Sequence, residues 1–279
     1  PWQVALLVAG QPTAPDAQYC GGSMLLDEWV LTAAHCVHME DDNGNFFDLR
    51  PEMFDVFVGS NVLAPGRGDR VPVRSVHVFP GYDGTEFDND VALIRLARKP
   101  NVPYSTIQIP TTDFADILDQ PGVPTIVTGW GLIEGARATP VLYEVQVEIL
   151  GNELCNRTMM EARGTEAMRG FSYAVDVFGL REEDARAAWE DLVARAPLPL
   201  SGNMVCAGSY EGGRTSCNGD SGGPLVVPLT DGSYIQVGVV SWGLTAGDTR
   251  TCDETALFSV YTRVSNYIGW LESTIAANP

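Results

Sequence analysis

The chain has 279 residues, 45% of them hydrophobic, with 17 basic against 36 acidic side chains and a formal charge of −19. That length can bury a real core in one large domain or two small lobes. The acidity makes nucleic acid and anionic membranes poor partners, since both are bound through basic patches, and no apolar run reaches the ~18 residues a membrane helix needs.

In chain order, most segments read as short strands between Gly, Pro and Asp turns. The first is WQVALLV (2–8), which reads as a strand entered in mid-fold, so processing segments are expected upstream of it. Then come GSMLLDEWVLTA (22–33), MFDVFVGS (53–60), VPVRSVHVF (71–79) and VALIRL (91–96). The Pro-rich, weakly patterned stretch 98–124 reads as the connection between two β lobes. Beyond it lie TIVTGWG (125–131), YEVQVEIL (143–150), PLVVPL (224–229), YIQVGVVSWG (234–243) and FSVYTRV (258–264). Many short strands of this kind predict an all-β sandwich or barrel rather than a parallel α/β sheet. Two stretches break the pattern. In 181–196, Ala185, Ala188, Trp189, Leu192, Val193 and Ala196 recur at helical spacing with charge elsewhere, which predicts a surface helix ended by PLPLSG. The C-terminus predicts a second helix, capped by Ser265, with Tyr267, Ile268, Leu271 and Ile275 on one face.

Six cysteines, at 20, 36, 155, 206, 217 and 252, contain no C-x-x-C pair, which favours disulfides over zinc and so an extracellular or periplasmic location. Spacing alone does not choose among the possible pairings. His35, in LTAAHC (31–36), is open to three readings: a buried structural histidine, a metal ligand, or a base held against a disulfide. CNGDSGGPL (217–225) narrows the choice. Glycines flanking Ser221 let backbone approach a substrate closely, and the Gly219 and Ser221 N–H groups could form an oxyanion hole. Serine needs a base to take its proton, and an imidazole with a pKa of about 6.5 suits that task. Asp90 opens an apolar strand, where a carboxylate needs a partner such as an imidazole N–H. His38 and His77 match no such pattern and read as ordinary surface or core residues.

Five stretches in one order, LTAAHC, DNDVALIRL (88–96), GWG (129–131), GDSGGP (219–224) and SWG (241–243), resemble the chymotrypsin/trypsin-like serine proteases, over nearly the whole chain. The resemblance implies a single peptidase domain over 1–279. Two packed antiparallel six-stranded barrels would span about 1–108 and about 109–264, followed by a helix over about 265–277 and interrupted by a helical insertion near 160–200. It implies His35 as general base, Asp90 as orienting acid and Ser221 as nucleophile, with Gly219 and Ser221 as the oxyanion hole. It implies the pairs Cys20–Cys36, Cys155–Cys206 and Cys217–Cys252. The expected activity is secreted serine endopeptidase, acting as a monomer on protein or peptide substrates, open to protein inhibitors, and using no cofactor. An α/β-hydrolase esterase would need alternating helices and strands and the order Ser, Asp, His. A catalytically silent homologue used for binding remains the alternative, although such homologues usually lose a member of the His35, Asp90, Ser221 set.

The chain departs from the family at several points. The family's mature amino terminus, whose amine pairs with the aspartate before the nucleophile, here Asp220, falls upstream of Pro1. The floor of the specificity pocket falls at Thr215, where relatives that cut after Lys or Arg carry aspartate. Ser241, Trp242 and Gly243 form one wall and Ser259 narrows the other. A neutral floor predicts chymotrypsin- or elastase-like preference, unless Asp248, Asp253 or Glu254 of the 244–258 loop supplies a carboxylate for Lys or Arg. The segment 59–70 lacks the acidic ligands of a calcium loop, so no metal is expected, and Asn156 heads a glycosylation sequon.

Overall fold

The computed structural model describes residues 1–41, 43–133, 137–209, 212–245 and 256–279. Its strands are β1 (Gln3–Val8), β2 (Gln18–Leu26), β3 (Trp29–Thr32), β4 (His38–Glu40), β5 (Phe46–Asp48), β6 (Phe54–Val58), β7 (Asp69–Val78), β8 (Ala92–Leu96), β9 (Pro124–Gly129), β10 (Tyr143–Leu150), β11 (Met204–Gly208), β12 (Pro224–Pro228), β13 (Tyr234–Thr245) and β14 (Ala256–Arg263). The helices are α1 (Thr112–Leu118), α2 (Asn152–Phe178), α3 (Glu182–Arg195) and α4 (Ile268–Ala277). The strands close into two antiparallel six-stranded barrels, ordered β1-β2-β3-β8-β7-β6 and β10-β11-β14-β13-β12-β9, and β4 with β5 forms a separate hairpin.

Each barrel is filled by its alternate side chains, and closure removes the exposed strand edges an open sheet would leave. Val4, Leu6, Met24, Val56 and Ile94 fill the first, and Val127, Ile149, Val205, Leu225 and Tyr261 the second. β1 is buried on both faces, which explains its unbroken apolar run. Val4 and Leu6 point into the first barrel, while Ala5 and Leu7 pack with Phe57 against Trp130 of the second. The chain enters α4 through a 3-10 turn, Val264–Tyr267, and Ser265 makes no capping hydrogen bond there, contrary to expectation. From their origin on the second barrel this turn and α4 reach back over the first, burying Tyr267 of the turn and Leu271 of the helix in that core and setting Tyr267 and Trp270 against Phe79.

The insertion is larger than its sequence pattern suggests. α2 runs 27 residues, beginning at Asn152 rather than near 160, and its mixed, Gly-interrupted sequence carries no apolar stripe to announce it. The stripe read for α3 is only partly covered: Ala185 is buried and Trp189 meets Phe171 at 5.3 Å, while Leu192 and Val193 stay exposed. At the root of α2, Asn156 is 7% exposed. Its Nδ2 donates to Leu200 O at 3.3 Å and its Oδ1 accepts from Leu200 N at 2.8 Å, so the folded sequon presents no free amide to a glycan. Disulfides join Cys20 to Cys36 and Cys155 to Cys206; a loop the size of the first stabilises by about 3 kcal/mol in the chain-entropy view. Cys217 is also disulfide-bonded, and Cys252 lies outside the described residues.

Between the barrels runs a polar seam. Ser23 Oγ of β2 donates to Gln236 Oε1 of β13 at 2.5 Å, and Gln236 Nε2 donates to Gly238 O at 3.0 Å, with Ser23 and Gln236 both fully buried. Ser23→Ala would strand the Gln236 oxygen in the interior, so urea unfolding should show a loss of about 1–3 kcal/mol. An unchanged midpoint would mean that the pair adds nothing to the docking of the barrels.

Candidate active site

The site is assembled where the barrels meet. Just before β8, Phe87 and Asn89 take positive φ values of 54° and 58°. Asn adopts this region readily, whereas for a bulky Phe it is an outlier that surrounding contacts must hold. Ser201 Oγ donates to Asp88 Oδ1 at 2.5 Å, and Asn89 Oδ1 accepts from Asn203 Nδ2 at 3.1 Å and Tyr267 OH at 2.9 Å. This clasp delivers Asp90 into the interior at 0% exposure. Its carboxylate accepts from His35 N at 2.9 Å through Oδ1, and Oδ2 meets both His35 Nδ1 at 2.7 Å and the Ser241 hydroxyl.

His35 sits in the 3-10 turn Ala34–Cys36, anchored by the Cys20–Cys36 bond. Burial alone would depress its pKa, but the charge of Asp90 and the hydrogen bond to it prevail and hold the imidazole above its ordinary value. With Nδ1 committed to Asp90, Nε2 is the nitrogen left to exchange a proton. His35 and Ser221 line one cleft of about 510 Å³, together with Phe87, Thr215, Ser216, Ser241, Trp242, Gly243 and Ser259. His38, paired with Asp48 at 2.6 Å, and His77, beside Ser75 and Trp29, lie apart from it.

The loop bearing Ser221 is held by its carbonyls. Leu132 N–H donates to Asn218 O, Gly223 N–H to Asp220 O, each at 2.8 Å, and Gly21 N–H of the first barrel to Ser221 O at 2.7 Å. In a trans peptide the N–H points opposite to the C=O. The Gly219 and Ser221 N–H groups, which share peptides with Asn218 O and Asp220 O, therefore leave the loop on the side away from those donors, and neither has an acceptor among the described residues. Gly222, at φ +79°, packs so closely on Thr32 and Gly21 that no side chain fits.

Asp220 turns away from the cleft. Gly131 N–H and Cys217 N–H each donate to its carboxylate at 2.8 Å, and a Cβ on Gly129 or Gly131 would collide with it. It lines a separate cavity of about 250 Å³ beside Gly129, Leu132, Tyr143 and Thr215. Desolvation pushes its carboxyl up to about 6, despite the two amides. As pH rises from the ordinary carboxyl range through about 6, the folded chain gives up a proton the unfolded chain has already lost, so this residue by itself lowers stability across that window.

At the pocket end of the cleft, Thr215 Oγ1 and Ser259 Oγ share a hydrogen bond, and Ser216 Oγ donates to Ser259 Oγ at 2.7 Å. Ser259 stands opposite Gly243 in the β13–β14 ladder. The described lining is thus neutral and hydroxyl-rich; Asp248, Asp253 and Glu254 lie outside the described residues. Sequence reasoning missed Ser216 and Phe87. Ser216 could have been found from its place between Thr215 and Cys217, but nothing marks Phe87, whose ring edge meets His35 at 5.7 Å. Among the described residues the one cluster of metal-ligand types is Cys20, His35 and Cys36, and both sulfurs are already spent in the disulfide.

A family model described as Trypsin matches residues 1–271. Vitamin K-dependent protein C of Mus musculus is 29% identical over 287 residues, covering 99% of this chain and 49% of that protein. The protein of the same name in Rattus norvegicus is 29% identical over 283 residues, with the same coverage. The chain thus spans about half the length of these curated relatives.

The His35–Asp90 geometry fixes the direction of one titration. By ¹H NMR the His35 ring should titrate above about 6.5, and Asp90→Asn should bring its pKa down, since the carboxylate charge is what offsets burial. A His35 pKa at or below the ordinary value in the unaltered protein would contradict the pairing.

Proposed function

Because this chain belongs to the trypsin family, the serine-type endopeptidases, we propose that it hydrolyses peptide bonds by acyl transfer to Ser221, with His35 as base and Asp90 as orienting acid. The observation that carries the reading is one cleft lined by both His35 and Ser221, with the buried Asp90 carboxylate on the far nitrogen of the imidazole. Ser221 Oγ attacks the scissile carbonyl as His35 Nε2 takes its proton. Asp90 keeps the proton on Nδ1 and stabilises the imidazolium. Negative charge on the former carbonyl oxygen falls to the Gly219 and Ser221 N–H groups. As the tetrahedral intermediate collapses, His35 returns the proton to the leaving amine. Water then repeats the sequence against the acyl-enzyme and releases the acid.

The remaining roles follow from the same reading. Residues 1–279 form one peptidase domain. Asp220, a desolvated carboxylate on a cavity, is the partner of an ammonium group, the activating α-amine that the family resemblance implies, and its neutralisation would remove the destabilisation above pH 6. The disulfides support an oxidising compartment, extracellular or periplasmic, and no helix among the described residues is long and apolar enough to cross a membrane. Its partners are protein or peptide substrates and protein inhibitors.

A fluorophosphonate should label Ser221. Ser221→Ala should abolish labelling, and either Ser221→Ala or His35→Ala should cut peptide turnover by a factor on the order of 10⁴ or more. Turnover near the unaltered level in either purified variant would refute the assignment.

For specificity, the neutral Thr215, Ser216 and Ser259 lining favours medium uncharged side chains such as Leu or Met before the scissile bond, then Phe and Tyr. Single methylenes change the preference by about 1–3 kcal/mol, while an unpaired Lys or Arg costs more. Matched peptides with Leu, Phe, Ala and Arg at that position should give kcat/KM lowest for Arg. Arg as the best substrate would mean that a carboxylate enters the pocket.

A further inference from the structure

Gln18 belongs to β2 of the first barrel, yet its side chain ends on the nucleophile loop of the second. Its Nε2 donates to Gly219 O at 2.7 Å across a separation of 201 residues. From the geometry we infer that Gln18 is a positioning residue for the oxyanion-binding loop: its amide holds the peptide between Gly219 and Asp220 in the orientation that keeps the Gly219 N–H ready for the oxyanion. The inference rests on the function proposed above.

Three successive peptides set the direction of the two oxyanion donors. The peptide 218–219 is held by Leu132 N–H on Asn218 O, and 220–221 by Gly223 N–H on Asp220 O. The middle peptide is pinned at one end by Asp220 N–H on Cys217 O at 2.9 Å and at the other by Gln18. Gly219 needs that second pin. At φ +97° it occupies a region that glycine enters and leaves freely, so sterics do not fix its torsions. Rotation there would swing one donor away from the other. Gln18 also fills the space beside it: its Oε1 lies 3.2 Å from where a Cβ on Gly219 would stand.

Two features aim this side chain. Leu6 pairs with Cys20 but Leu7 with Gln18, so Tyr19 is one extra residue on β2, and such a bulge redirects the side chains beside it. Three residues after Gln18, Gly21 N–H donates to Ser221 O at 2.7 Å. One strand of the first barrel therefore grips the carbonyls of both oxyanion-donating residues, one through a side chain and the other through its backbone.

The test compares Gln18→Met, which keeps the length and loses the donor, with Gln18→His, whose ring N–H has similar reach. Each is read by kcat and KM on one peptide substrate, by the fluorophosphonate labelling rate, and by urea unfolding. Removing an oxyanion donor outright costs on the order of 10²–10³ in kcat, so loosening one should cost less. Gln18→Met should lower kcat and labelling about 10- to 100-fold, with KM and the unfolding midpoint close to the unaltered protein, and Gln18→His should recover most of the loss. Unchanged kcat in Gln18→Met, a loss that tracks a lowered unfolding midpoint, or no recovery in Gln18→His would each overturn the inference. If the unaltered protein is not labelled at Ser221, the proposed function itself fails; if it is labelled and Gln18→Met is labelled equally fast, only the role of Gln18 falls.

Discussion

A carboxylate with no exposure to water sets the terms for this molecule. Asp90 is tolerable inside only because donors converge on it, and an unpaired charge there would cost several kcal/mol. Those donors come from different parts of the chain: the backbone and ring of His35 from the first barrel, the Ser241 hydroxyl from the second. Thr262 Oγ1 of β14 adds a bond to the Asp90 carbonyl at 2.6 Å. The two barrels must therefore dock in one arrangement for Asp90 to be satisfied, and that arrangement opens the cleft. The strained Phe87 backbone, the Asn203 and Tyr267 bonds to Asn89, and the return of α4 over the first barrel all serve to hold this junction.

The loop bearing Ser221 obeys a second constraint, the fixing of N–H direction through partner carbonyls. Its glycines answer to space as much as to torsion. Gly222 leaves room for Thr32, and Gly129 and Gly131 leave room for the Asp220 carboxylate. Asp220 shows the cost: with two amides as partners, burial still raises its pKa to about 6. The cavity beside it leaves space for the positive group that would relieve that cost.

Strands with an apolar rhythm or an unbroken apolar run, such as those around 54–58, 92–96 and 143–150, could be read directly, and the motifs around 35, 90 and 221 marked residues that the fold brings together. What escaped reading had physical causes. β11 is only five residues, Met204 to Gly208, and of these Val205 alone has a strong strand preference. β4 and β5 are three residues each and largely exposed. α2 projects with little buried surface, so no face needed to be apolar. The barrel walls depend on side-chain periodicity, which a sequence displays. Contacts such as Ser201 with Asp88, or Gln18 with Gly219, join residues more than a hundred positions apart, and no local pattern records them. Thr215 and Ser259 could be singled out from the sequence and both line the cleft, but their mutual hydrogen bond, with Ser216 as a third hydroxyl, was not legible.

The proposed chemistry turns on the His35 ring, held protonated at Nδ1 by Asp90, acting as base for Ser221. The most direct measurement is the pH dependence of the second-order rate of fluorophosphonate labelling at Ser221, set against the His35 titration followed by NMR in the same protein. The rate should rise as the ring loses its proton, with an inflection above about 6.5 that coincides with the NMR pKa. A labelling rate that stays flat while the ring titrates would show that His35 is not the base.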